Sequence, residues 1–176
     1  MPIEHYHYLP RYFDEEDKQA LLSRDPEELS SRTGMVNEYM PWDPRLLMSG
    51  RYSFVIMPEG SEFRFSLIPE AGGEVPMLRH HELAKGEGVV AAGMIEVRGG
   101  KIAYFSNESG HYEPEPESLL IAYSMMKRLH IPLTETVQFG IYGKKEWMSE
   151  GMWQDRKQQV VAFLQQDSRL RARRAS

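Results

Sequence analysis

The stretch "VVAAGMIEVRGGKIAYFS", residues 89–106, constrains the fold more than any other part of the chain. Two runs rich in β-branched and aromatic residues, 89–97 and 101–106, flank Arg98-Gly99-Gly100. Consecutive glycines accept the positive φ angles that a tight hairpin turn requires, so the runs read as paired antiparallel strands. A second pair precedes them: 52–58 ("YSFVIMP") and 63–69 ("FRFSLIP") are separated by a short Gly-containing link. These read as another hairpin, and 135–143 ("ETVQFGIYG") reads as a final strand.

Helical patterns surround these strands. Asp25, Pro26 and Glu28 in "DPEELSSR" form an N-cap, a first-turn proline and a capping-box acid. "FDEEDKQALLSR" reads as another short helix with an acidic first turn. Over 115–131, Leu119, Tyr123, Met126 and Leu129 share one stripe, with Pro114 and Pro116 at or before the first turn. From Lys145 onward the pattern predicts one long helix, or two with a break at Gly151. Trp153, Val160, Val161 and Leu164 form its apolar face, and the arginines at 169, 171, 173 and 174 are expected to be a frayed, solvated tail. The expected class is α+β: a mostly antiparallel sheet with flanking helices and a long C-terminal helix. At 176 residues it reads as a single domain, with a helical part over 1–50, a β-rich core over 51–143 and a helix with a basic tail over 144–176.

Composition excludes several functions. There is no cysteine, which removes disulfides, thiol catalysis and Cys-based metal sites. A formal net charge of −5 argues against nucleic-acid binding. No basic-then-apolar leader and no membrane-length apolar run is visible, so the expected setting is cytoplasmic, or export without a cleavable signal peptide.

"SNESGHYEP", residues 106–114, places Ser109, Gly110, His111 and Tyr112 in one turn after a strand, where side chains lie outside the hydrogen-bonded ladder. Read structurally, Ser109 caps the turn, Gly110 frees the backbone, His111 bonds a carbonyl and Tyr112 packs. Read functionally, they join His80 in a polar pocket. Adjacent residues of an extended segment point to opposite sides, so only one of His80 and His81 can face His111.

The spacing of His80, Gly86, Ala91, Ala92, Gly93, Gly100, Ser109, Gly110, His111, Tyr112 and Pro114 resembles the conserved core of the plant IQ-motif-containing (IQM) calmodulin-binding proteins. The resemblance spans roughly residues 50 to 140, and it selects His80 as the pocket histidine, which leaves His81 at the surface and Glu82 to solvate the turn. Similar stretches also look at home in bacterial effector-like or toxin-like chains. No IQ-like segment is present, so calmodulin binding is not expected. Where the family has small hydroxyl residues after the leading histidine, this chain has His81 and Glu82.

Four chemistries can be set against these residues. A metal centre lacks a helical histidine pair; His5 and His7 supply two ligands without a third, and no metal is expected. A Ser–His hydrolase would need His80 as base for Ser109. Histidine-driven RNA cleavage conflicts with Glu113, Glu115 and Glu117 beside the turn. ADP-ribosyl transfer from NAD is the most concrete: His80, then Tyr104 or Tyr112, then Glu135 occur in the order such enzymes use. The acidic, proline-bearing start of the 115–131 helix cannot cradle a pyrophosphate, so Arg79 or Lys85 would hold the NAD phosphates. The resulting expectation is a pocket for a small ligand or a partner-protein group. Its catalytic candidates are His80, His111 and Tyr112; Ser109, Gly110, Arg79, Tyr104 and Glu135 bind. The alternative is a non-catalytic protein-interaction module.

Overall fold

The computed structural model describes residues 14–58, 62–69 and 77–173, together with Leu9. The link between the first two predicted strands and His5 and His7 lie outside the described residues.

The chain begins with α1 (Glu15–Leu22), whose N-cap Asp14 accepts a hydrogen bond from the Asp17 N–H at 2.8 Å. Next comes α2 (Pro26–Ser31), capped by Asp25 with Pro26 in its first turn, as its sequence predicts. β1 (Gly34–Val36) and a short 3-10 turn (Pro44–Leu46) lead to β2 (Gly50–Ile56) and β3 (Phe63–Leu67). The turn α3 (His80–Leu83) precedes β4 (Ala91–Arg98) and β5 (Lys101–Ser106). The chain then runs through α4 (Ser118–Arg128), β6 (Leu133–Gly140), α5 (Glu150–Leu164) and β7 (Leu170–Ala172).

Among the described residues these strands make one seven-stranded sheet in the order β1-β3-β2-β4-β5-β6-β7. The first four pairings are antiparallel, and the expected hairpins are both present. Gly99 and Gly100 supply the turn with φ of 57° and 79°. β6 and β7 join in parallel, and the helices α4 and α5 supply the crossovers that parallel neighbours need. The class is α+β, with the sheet mostly antiparallel.

The helices divide between the two faces. Leu119, Met126, Val160 and Leu164 from α4 and α5 pack with Phe54, Ile95, Phe105 and Phe139 on one face. Leu29 and Leu83 from α2 and α3 pack with Val55 and Ala92 on the other. That second cluster covers only the β2–β4 end. Met94, Glu96 and Tyr104 share its face beyond the helices, because side chains alternate along a strand.

Three sequence expectations change. α4 starts at Ser118 rather than at 115, and Arg156 of α5 pairs with both Glu115 and Glu117 in front of it. These two carboxylates are therefore satisfied from within the chain. α5 runs unbroken through Gly151 but starts at Glu150 rather than Lys145, where Ser149 caps it by accepting from the Met152 N–H at 3.1 Å. Last, the basic tail is not frayed. Leu170 is fully buried beside Val137, and the Arg173 N–H donates to the Phe139 carbonyl at 2.7 Å. Arg173 also lies over the Tyr104 ring at 3.6 Å and grips Glu96 with both terminal nitrogens. Arg174 lies outside the described residues.

Candidate functional site

The site forms where α3 and the turn after β5 meet at one end of the sheet. Residues 80–83 are a helical turn rather than an extended segment. Successive side chains on a helix differ by about 100°, so neighbouring residues can both point inward. His80 and His81 do so, with 7% and 3% exposure. This corrects the assignment of His81 to the surface. The His81 ring lies 4.2 Å from the His111 ring, tilted by 49°. Glu82, read as a solvated neighbour, instead accepts from the Arg79 N–H at 3.0 Å and pairs with Arg24, which also pairs with Glu28 of α2 and so ties the turn to that helix.

His80 is tied to the sheet. Its Nε2 lies 2.8 Å from the Gly93 carbonyl oxygen, a geometry that requires the N–H on that nitrogen. Burial pushes its pKa down to about 4, so the ring is neutral at neutral pH. His81 is also held below the usual histidine range, by burial first and then by the charge of His111.

The turn 107–114 carries the rest. The Ser109 hydroxyl accepts from the Tyr112 N–H at 3.3 Å, the capping role of the structural reading. Asn107, which the sequence analysis did not single out, clamps the loop. Its amide donates to the Pro114 and Tyr142 carbonyls, each at 3.0 Å, and its oxygen accepts from the Tyr142 N–H. Gly110 has ordinary φ and open space where a Cβ would stand, so the backbone does not require glycine there.

Tyr112 is not positioned for catalysis. Its ring is completely buried in the cluster of Leu29, Val55, Leu78 and Leu83, and its hydroxyl donates to the Glu87 carbonyl at 2.6 Å. Burial raises its phenol far above the ordinary tyrosine range. Tyr112→Phe should therefore leave a buried carbonyl unsatisfied and cost about 1–3 kcal/mol in urea unfolding. Unchanged stability would show that water replaces the hydroxyl.

Between α3 and this turn lies an open cleft of about 300 Å³, lined by Arg51, Arg79, His80, Ser109, Gly110 and His111, with Met77, Met94 and Glu108. It therefore joins five predicted site residues and adds Arg51 and Met94, which the sequence analysis missed because β2 and β4 read only as core strands. It includes neither Tyr104, Tyr112 nor Glu135. Tyr104 lies under Arg173, its phenol pushed up to about 12 by burial and then by Tyr142. Glu135 is exposed on β6, five residues before Gly140, which pairs with Ser106 beside the cleft. At 3.3 Å per residue that is roughly 16 Å along the strand. Lys85 lines a separate cavity of about 110 Å³ with Leu29, Arg64 and Glu82. Comparison with family models, with curated proteins and with solved structures finds no match for this chain.

Proposed function

We propose that this chain binds a small anionic ligand, or an anionic group on a partner protein, in the cleft between α3 and the Ser109–Tyr112 turn. The observation that carries the proposal is convergence: Arg51, Arg79, His80, Ser109 and His111 come from three separate segments to one opening. Two guanidiniums against the single carboxylate of Glu108 favour a negatively charged group, and Met77 and Met94 give it an apolar floor. His80, neutral and anchored to Gly93, holds the cleft wall in place. The resemblance to the IQM core supports the same reading, because its matched positions include His80, Ser109, Gly110 and His111. ADP-ribosyl transfer keeps only His80 of its three-residue order in this cleft, so NAD is one candidate among anions.

The test is calorimetric titration of the full chain with inorganic phosphate, ADP-ribose and NAD at millimolar concentration. At least one should bind, and Arg51→Gln or Arg79→Gln should each weaken it about tenfold, the loss of one charge-assisted contact. Binding that survives both substitutions, or no binding by any of the three, overturns the proposal.

The alternative is the interaction module, and one observation favours it. The edge strand β1 borders an open groove of about 580 Å³ lined by Met35, Val36, Pro41, Leu47 and Phe65. Tyr39 and Met40 stand exposed at its rim, and apolar surface next to an unpaired strand edge suits an added peptide strand.

A further inference from the structure

Beside the cleft, three side chains far apart in sequence meet: Asp17 from the first turn of α1, His81 from α3 and His111 from the turn after β5. We propose that they form a binding site for one divalent transition-metal ion of the zinc type. This goes beyond the anion-binding reading and uses different atoms, although His111 belongs to both.

One ligand atom from each residue lies within 4.8 Å of the other two, and His111 Nε2 is 4.0 Å from Asp17 Oδ2. A tetrahedral ion with bonds of about 2.0–2.2 Å needs its ligand atoms roughly 3.3–3.5 Å apart, so contraction by about 1 Å closes the site. Asp17 and His111 are not held firmly against that movement. The Asp17 carboxylate accepts only a long 3.4 Å bond from the Asp14 N–H, and Arg79 stands 4.0 Å from its other oxygen, too far for a hydrogen bond. His111 is about one-fifth exposed, so an incoming ion has a path. His80 is not one of the three clustered residues, and its Nε2 is engaged with Gly93.

The donor chemistry selects the ion. Two imidazoles and one carboxylate suit zinc, cobalt, nickel or ferrous iron, whereas calcium and magnesium prefer all-oxygen shells. The two imidazole rings stand only 4.2 Å apart, close enough for one ion to draw a nitrogen from each. Three protein ligands leave a coordination position open, the arrangement of zinc sites that bind water or a ligand. Because His111 also lines the cleft, the ion lies at its rim, within reach of an anion held by Arg51 and Arg79.

The test strips the full chain with a chelator and titrates it with zinc by calorimetry and with cobalt by visible absorption. The expected result is one equivalent of either metal, with cobalt ligand-field bands and no thiolate band. Asp17→Asn and His111→Gln should each weaken binding at least about tenfold, while His130→Asn leaves it unchanged. His5→Gln with His7→Gln should also leave it unchanged. Arg51→Gln, which tests the anion cleft, should not alter the zinc titration, so the two proposals fail separately. If the ligand variants do not fold, histidine nitrogen resonances of the unaltered protein decide instead: zinc must shift His81 and His111 and spare His80. Substoichiometric binding, wild-type affinity in both ligand variants, or loss of binding only when His5 and His7 are replaced overturns the proposal.

Discussion

Gly93→Ala is expected to cost roughly 3 kcal/mol or more and to abolish ligand binding in the cleft. Gly93 sits in β4 opposite Phe54 of β2, with the end of β5 on its other side. A Cβ there would overlap the Ser106 carbonyl oxygen, far closer than van der Waals contact allows, and stand only 3.1 Å from the Asn107 Cα. Both are backbone atoms, so no rotamer change relieves the clash, and either β4 or β5 must move. Movement of β4 also displaces the Gly93 carbonyl that holds His80, and movement of β5 shifts the whole Ser109–Tyr112 turn. A domain is stable by only about 5–15 kcal/mol, so the midpoint of urea unfolding should fall by a large fraction. Gly110→Ala is the control and should unfold like the unaltered protein, because its Cβ meets nothing within 4 Å. A wild-type midpoint for Gly93→Ala would mean that the strands can separate without loss.

Ending the chain after Ser168 is expected to cost roughly 3–5 kcal/mol, the range for deleting a large buried aliphatic side chain. Leu170 is fully buried in the main core, and its loss opens a cavity beside Val137. The Val137 N–H also loses the Arg169 carbonyl, which accepts from it at 2.8 Å. Ending the chain after Leu170 instead keeps the buried side chain and removes Arg173, with its pairing to Glu96 and its stacking on Tyr104. These groups are partly solvated, so that truncation should cost only about 1–2 kcal/mol. Calorimetric melting of the two truncations separates a docked strand from a solvated tail. Equal midpoints for both and for the full chain would return the tail to solvent.

The central strands and hairpins were legible because their signals are local. Gly99 and Gly100 occupy positive φ, and the aromatic and β-branched runs on either side supply β2 to β5 nearly as read. The start of α2 was legible for the same reason: Asp25 and Pro26 act within one turn. β7 was not legible. Leu-Arg-Ala is too short to carry a period of two, and it is a strand only because β6 offers an open edge and the core a space for Leu170.

At the site, the sequence by itself identified two of the segments that meet: the histidine turn before β4 and the Ser-Gly-His-Tyr turn after β5. Their spacing around one hairpin brings them to one end of the sheet whatever the details of packing. The tertiary structure decided what each side chain does. It sent Tyr112 into the core, because a phenol can be buried when a carbonyl such as that of Glu87 receives its hydroxyl. It turned both His80 and His81 inward, because Glu82 and Arg24 close that segment into a helical turn in which alternation does not apply. It also brought Asp17 to His81 and His111 across more than sixty residues of chain. No sequence period reports such a meeting, because it depends on how α1 and α3 stack on the sheet rather than on anything local to the three residues.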